Sequence, residues 1–167
     1  IGVGRIGTKV VNILKNFPFK KIYINDIDKK KIKFKNKRIV FLSKTQLLKK
    51  SDLITFHVPL TQKTKNFLNK KTMKMMKKGS SIVNTSRGAI INEKDLWTFL
   101  KKKYFTAASL DVMINEPYYG KLLKLKNCYI TPHIGSMSNR SRLAMERGSV
   151  KNLINFLVKN KISGSVF

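Results

Sequence analysis

Arg87, Glu116 and His133 are the side chains in this sequence whose types and placement could do chemistry together. Each stands just past an apolar run of strand length. Asn84-Thr85-Ser86-Arg87-Gly88 follows Ile82-Val83, Asp111-Val112 and then Glu116-Pro117 follow Ala107–Leu110, and Thr131-Pro132-His133-Ile134-Gly135-Ser136 follows Tyr129-Ile130. Open α/β sheets bind ligands outside the carboxyl ends of their strands. If these three runs are neighbouring parallel strands, about 4.8 Å apart, the three side chains can converge on one small ligand. A cation, a carboxylate and an imidazole together suit acid–base chemistry on a small anionic ligand. Singly, each has a blander reading: a capping Arg, a loop Glu, a core His.

A second group of residues could hold a dinucleotide. Gly2-Val3-Gly4-Arg5-Ile6-Gly7 is G-x-G-x-x-G, with a helical segment directly behind it. Glycines at this spacing allow a tight turn, close approach of the backbone to a pyrophosphate, and close packing of helix on strand. The helix head then offers its N–H groups and positive dipole end to the phosphates. Asp26 stands at the end of the apolar run Lys21–Ile24. An acid there accepts hydrogen bonds from the ribose hydroxyls and repels a 2′-phosphate, which favours NAD over NADP.

These residues need a scaffold, and the pattern of lysines outlines one. The chain has 167 residues, 36 Lys and Arg against 8 Asp and Glu, and a net charge of +28. Lys is absent from 51–62, 79–93, 104–120 and 127–150. Those stretches hold the runs Leu53–Phe56, Ser81–Val83, Ala107–Val112 and Cys128–Ile130, and Lys21–Ile24 and Arg38–Leu42 lie upstream. Helical spacing falls between them: Val10 to Leu14 after the glycines, Met73, Met75 and Met76 ahead of a C-cap Gly79, and Leu96, Phe99 and Leu100 behind an N-cap Asn92. A long helix is expected from about Ser138 to Asn160, with Leu143, Val150, Leu153, Ile154 and Leu157 on one face. Strands apolar on both faces alternating with helices predict a Rossmann-type, doubly wound α/β fold: a parallel sheet covered by helices on both sides. Its first, central strand is expected to be largely missing, since only Ile1 to Val3 precede the glycine turn.

Composition narrows the function classes. A hydrophobic fraction of 42% supports a packed core. No apolar run approaches the ~18 residues of a membrane span. One cysteine, Cys128, excludes an internal disulfide framework, and two histidines without paired cysteines leave no zinc pattern; a reducing, cytoplasmic location is expected. The charge invites nucleic acid, but 30 of the basic residues are Lys, whereas base and phosphate recognition favours Arg. No specific nucleic-acid partner is expected. Lys29–Lys37 reads as a solvated hairpin or loop.

Taken together, Gly2–Gly7, Asp26, His57-Val58-Pro59-Leu60-Thr61 with Thr64, Asn84–Gly88 leading to Asn92-Glu93, Leu110–Val112 with Glu116-Pro117, and Thr131–Ser136 resemble the NAD-dependent D-isomer-specific 2-hydroxyacid dehydrogenases. The resemblance covers essentially the whole chain. Within that family, Leu122–Ile130, Thr131–Ser136 and Arg142–Asn152 look most like the D-3-phosphoglycerate dehydrogenases. The resemblance implies that Arg87 holds the substrate carboxylate and carbonyl oxygen, that His133 is the acid–base, and that Glu116 hydrogen-bonds His133 and raises its pKa. It places Asp111 on the nicotinamide carboxamide and the Thr85 backbone beside the ring, with Ser86 and Gly135 also against the cofactor. Gly2, Gly4, Arg5, Ile6 and Gly7 lie along the pyrophosphate, and Val58, Pro59 and Thr64 along the adenosine half. Asn92 stands where the family commonly has Asp.

The resemblance further implies that residues 1–167 form the NAD-binding domain of a homodimeric enzyme whose N-terminal substrate-binding domain is absent. The substrate would be a small anionic 2-hydroxy or 2-oxo acid, foremost 3-phosphoglycerate in serine biosynthesis. Glyoxylate, hydroxypyruvate or D-lactate dehydrogenase is the alternative. An NAD-sensing corepressor and an inactive fragment are alternatives of another class. No metal ligands are expected.

Overall fold

The computed structural model describes residues 1–28 and 34–159. Contacts divide the chain into two compact units, residues 1–132 and 133–167.

In the first unit, strands and helices alternate. The elements are α1 (Arg5–Leu14), β1 (Ile22–Ile24), β2 (Ile39–Phe41), α2 (Lys44–Lys50), β3 (Leu53–Phe56), α3 (Lys70–Met73), β4 (Ser81–Asn84), α4 (Glu93–Lys101), β5 (Ala107–Leu110) and β6 (Cys128–Ile130). Short 3-10 turns cover Gly88–Ile90 and Lys121–Lys124. Every strand pairing is parallel: β1 with β2, and β3, β4, β5 and β6 in that order. The two groups are joined by Ile1–Val3. The Ile1 amino group donates to the Thr55 carbonyl and His57 N–H donates to the Ile1 carbonyl, each at 2.8 Å, while Gly2 N–H donates to the Asn25 carbonyl at 2.8 Å. The opening residues thus run between β1 and β3, and the chain winds outward from them in both directions. This is the doubly wound arrangement, with its switch point at the glycine turn.

Burial explains the elements. Ile54 and Phe56 of β3, Ile82 of β4, and Ala108 and Leu110 of β5 meet Leu47 and Leu48 of α2 and Leu96 and Leu100 of α4 in one core. Val3, Val11, Ile22 and Ile24 form a second cluster under α1. Ser43 and Gln46 make a capping box at the head of α2. The Asn92 side chain accepts from Asp95 N–H at 3.0 Å to start α4, with Glu93 and Asp95 in the first turn. Gly2, at φ +85°, cannot be replaced freely: a Cβ would stand 2.6 Å from the His57 carbonyl oxygen. A Cβ on Gly7 would run into the Gly2 carbonyl oxygen, so α1 packs directly on the turn.

Several expectations need correction. The helix expected around Met73, Met75 and Met76 is a single turn ending at Met73. Its Asn69–Thr72 capping box starts it early, and Met75 N–H and Met76 N–H then bond only three residues back. Its C-cap is Lys74; Gly79, at φ +85°, belongs to a later turn. β5 ends at Leu110 rather than Val112, because Asp111 N–H still reaches the Asn84 carbonyl while the residues beyond turn away into a loop. The outermost strand β6 is not covered on both faces: Tyr129 is exposed. Of the Lys29–Lys37 loop, residues 29–33 lie outside the described residues, and Lys35 and Lys37 are exposed. The second unit contains α5 (Asn139–Lys159), whose residues Leu143, Val150, Leu153, Ile154 and Leu157 are exposed. Among the described residues no helix is long and apolar enough to cross a membrane.

Two stability outcomes follow. Ile82, 1% exposed, sits in the middle of the larger sheet; Ile82→Ala should lower the unfolding free energy by about 2–5 kcal/mol in a urea titration. His57 is half-buried, with its ring Nε2 3.0 Å from the Thr55 hydroxyl. Burial pushes its pKa down to about 4. The unfolded chain takes up this proton near pH 6.5, so the contribution is complete above that pH and is lost as pH falls from 6.5 toward 4. The urea midpoint should therefore drop more between pH 7 and pH 5 in the native chain than in His57→Gln.

Candidate active site

The glycine turn and the head of α1 make an anion-receptive corner. Gly4 is the N-cap of α1, and no side chain caps it. The first N–H groups of a helix lack intrahelical partners, so an anion at this corner finds donors and the positive dipole end together. A Cβ on Gly4 would meet nothing within 4 Å, so the space beside the turn is open. Arg5 and Ile6, the first residues of the helix, are exposed there. No first-turn acid opposes the field.

Asp26 is built into this corner. Its Oδ2 accepts Val3 N–H at 2.6 Å and its Oδ1 accepts Asp28 N–H at 3.0 Å. The carboxylate is thus fixed against the glycine turn at the end of β1, with its charge beside the position a ribose occupies when a pyrophosphate sits on α1. Ile27, next to it, is fully exposed.

Arg87 is presented by a turn that Asn84 holds together. Asn84 is 1% exposed at the end of β4. Its Nδ2 donates to the Arg87 carbonyl at 2.9 Å, and its Oδ1 accepts Ser86 N–H at 3.1 Å and the Ser86 hydroxyl at 2.8 Å. Ser86 is thereby a brace of the turn. Thr85 and Arg87 are exposed above it, with one Arg87 nitrogen donating to the Ser86 carbonyl at 2.7 Å.

The neighbouring strand carries the acids. Asp111, buried at the end of β5, accepts the Thr131 hydroxyl at 2.5 Å. Glu116 is exposed, and its Oε1 accepts Met113 N–H at 2.8 Å within the same loop. Two residues without an assigned part in the sequence reading tie this loop to the Arg87 turn. A Cβ on Gly88 would collide with the Met113 carbonyl and Ile114 nitrogen, so the turn lies directly on the Met113–Ile114 peptide. Glu93, in the first turn of α4, accepts Ile114 N–H at 2.8 Å. Gly88 was visible as the residue following Arg87; nothing in the sequence announces the reach of Glu93 across 21 residues.

Val58, Pro59 and Thr64 follow β3 on the other side of the switch point. Val58 touches the first residues: one of its methyls would stand 2.7 Å from a Cβ on Gly2. The Thr64 hydroxyl donates to the Pro59 carbonyl at 2.6 Å and accepts Thr61 N–H at 2.7 Å, which makes it the clasp of this loop. His133 and Gly135 belong to the second unit, and His133 adopts φ +54°. The first unit therefore brings together the glycine turn with Asp26 and Val58, and the Arg87 turn with Asp111 and the Glu116 loop. Among the described residues no cluster of His, Cys, Asp and Glu could hold a metal ion. Burial pushes the Cys128 thiol up to about 11, so it is a poor nucleophile.

The residues at the switch point fit a dinucleotide: open space beside Gly4, an uncapped helix head for a pyrophosphate, and a fixed carboxylate for a ribose. Comparisons with known proteins agree. A family model, the D-isomer specific 2-hydroxyacid dehydrogenase NAD-binding domain, matches residues 1–135. A glyoxylate reductase from Thermococcus litoralis is 39% identical over 157 residues, covering 93% of this chain and 47% of that protein. The crystal structure of a glyoxylate reductase from Paecilomyes thermophila superposes with a TM-score of 0.89 at 30% identity, covering 99% of this chain and 50% of that one. An NAD-dependent formate dehydrogenase from Staphylococcus aureus in complex with NAD superposes at 0.88 and 28% identity, over 98% of this chain and 49% of that one. The chain spans about half the length of the relatives it matches. It belongs to the D-isomer-specific 2-hydroxyacid dehydrogenases, as their NAD-binding domain.

Proposed function

We propose that this chain serves hydride transfer between a nicotinamide cofactor and C2 of a small 2-hydroxy or 2-oxo acid. The observation that carries the reading is the clamp at the ends of β4 and β5. There Arg87 and Glu116 are held in fixed register, through Gly88 and the Met113–Ile114 peptide, on the same sheet edge as the glycine turn and Asp26. Bound NADH supplies the hydride. In this reading Arg87 binds the substrate carboxylate and polarises the carbonyl oxygen, as a planar fork can and a Lys cannot. His133 gives the proton that the new hydroxyl needs, and Glu116 orients its imidazole. Asp111 holds the nicotinamide carboxamide and the Thr85 backbone steadies the ring. Gly2, Gly4, Arg5, Ile6 and Gly7 receive the pyrophosphate, Asp26 the ribose, and Val58, Pro59 and Thr64 flank the adenosine half, with Ser86 and Gly135 completing the cofactor contacts. One 2-oxo acid, one NADH and one proton become one 2-hydroxy acid and NAD.

The similarity to glyoxylate reductases favours glyoxylate as the substrate. The second reading is 3-phosphoglycerate oxidation in serine biosynthesis, supported by the likeness of Leu122–Ile130, Thr131–Ser136 and Arg142–Asn152 to that branch. A homodimer in the cytoplasm, with a substrate-binding domain supplied by residues beyond these 167, completes the proposal.

Titration of the purified chain with NADH should saturate, and NADPH should bind at least about tenfold more weakly. Asp26→Ala should weaken NADH by about tenfold, as loss of charge-assisted hydrogen bonds does, and narrow the gap to NADPH. A folded chain that ignores NADH would sink the proposal. By itself the chain should show no turnover with glyoxylate. Expressed from its whole reading frame, the protein should oxidise NADH faster with glyoxylate than with 3-phosphohydroxypyruvate. The reverse order would select the phosphoglycerate reading.

A further inference from the structure

Charge is sorted between the two edges of the sheet. All strands are parallel, so the connections leading into them share one edge and those leaving them share the other. A lysine stands within four residues ahead of every strand: Lys21, Lys37, Lys50, Lys78, Lys103 and Lys126. More lysines stand behind several of them. The only acid among the described residues leading into a strand is Asp52, and it is paired with Lys77 at 2.7 Å. Asp26, Asp28, Asp111 and Glu116 follow strand ends, and Glu93 and Asp95 open α4 on that side. The acids therefore do not spread evenly. On the edge opposite the proposed cofactor corner the lysines form a belt about 30 Å long, the width of the six strands and the opening segment, with Asp52 the one acid among its described residues.

Two features give the belt shape. Lys101, Lys103, Lys124 and Lys126 line one shallow groove with Thr106 and Asn127, between the end of α4 and the approach to β6. At the far end, the loop from α1 to β1 displays Phe17 and Phe19, 50% and 44% exposed, with ring centroids 6.1 Å apart. Arg38 clasps that loop from behind, its guanidinium donating to the Lys15, Phe17 and Phe19 carbonyls at 2.5, 3.2 and 3.3 Å. The one arginine of the belt is thus structural, and its surface consists of lysine point charges and two aromatic faces.

We propose that this strand-entry edge binds single-stranded nucleic acid without sequence preference. Lysine ammonium groups neutralise phosphates one at a time and carry no base-reading geometry. Aromatic faces stack any base, provided that base is unpaired. A lipid surface is favoured less, because two half-exposed rings offer little area to insert. This face is independent of the dehydrogenase reading, and a polynucleotide there leaves the cofactor corner open.

Fluorescence anisotropy of a labelled 20-nucleotide oligouridylate tests it with the intact chain. Binding should be on the order of 1–100 µM at about 150 mM salt and should weaken steeply as salt rises. Lys101→Gln, Lys103→Gln, Lys124→Gln and Lys126→Gln together should cut the slope of log affinity against log salt by about 3. A charge-matched control at strand exits, Lys44→Gln, Lys63→Gln, Lys65→Gln and Lys94→Gln, should change it by less than about 1. Phe17→Leu, which keeps the apolar bulk and loses the ring, should weaken binding about fivefold or more at an unchanged melting temperature. NADH should not compete. Equal losses in the two quadruple variants would show binding to net charge alone and overturn the proposal. So would displacement by NADH, full binding by Phe17→Leu, duplex RNA binding as well as single strands, or tight binding only to phosphatidylserine vesicles.

Discussion

The junction of the two sheets, and with it the glycine corner, depends on the three opening residues. Ile1, Gly2 and Val3 are bonded to β3 on one side, through Thr55 and His57, and to the end of β1 on the other, through Asn25. β1 and β2 share no ladder with β3, so these bonds are what makes one surface of two short sheets. They also put Val3 N–H where the Asp26 carboxylate can take it, at 2.6 Å. The glycines then serve packing before they serve any ligand: Gly2 has no room for a Cβ against the His57 carbonyl, and Gly7 none against Gly2. A dinucleotide site at this point is a consequence of that closeness, because the same turn that lets α1 lie on the strands also aims its free N–H groups outward.

The second constraint is the contact of two loops through one peptide. Arg87 and Glu116 come from different strands, and long exposed side chains on separate loops ordinarily drift relative to each other. Here Gly88 rests on the Met113–Ile114 peptide, Glu93 holds the Ile114 N–H, and Glu116 holds the Met113 N–H. Asn84 does the same for the turn beneath Arg87. Fixing backbone in this way reduces the ordering that ligand binding must otherwise supply, which is the physical content of preorganisation.

Much of this was legible in the sequence, and the reasons differ by element. The strands were readable because buried parallel strands exclude lysine, and each of β3 to β6 falls inside a lysine-free stretch of a chain rich in lysine. Asn92 as the cap of α4 was readable from its own side-chain chemistry and the acids behind it. The capping box Ser43–Gln46 of α2 was present in the same terms and went unread. The methionine segment misled because Met73 and Met76 are buried in the core without being helical neighbours: burial period and helix period coincide over so few residues. The grip of Glu93 on Ile114, and the loop-clasping work of Thr64 and Arg38, were beyond reach. Each joins a side chain to backbone, distant along the chain for Glu93 and Arg38, and backbone leaves no signature in a sequence.

Lysine content shows how composition and fold combine. A basic residue costs little on any solvated surface, so composition alone predicts an even coat of charge. At the strand exits Asp26, Asp111, Glu93 and Glu116 have backbone or hydroxyl hydrogens to accept, so acids stand among the basic residues there. No comparable acid stands at the strand entries, apart from Asp52 and its partner Lys77. Lysines accumulate there unopposed, and the field they produce is set by sheet topology rather than by any single residue. The acids that build a cofactor corner on one edge therefore leave the other edge free to become strongly positive, which is why the two faces of this chain differ in the ligands they suit.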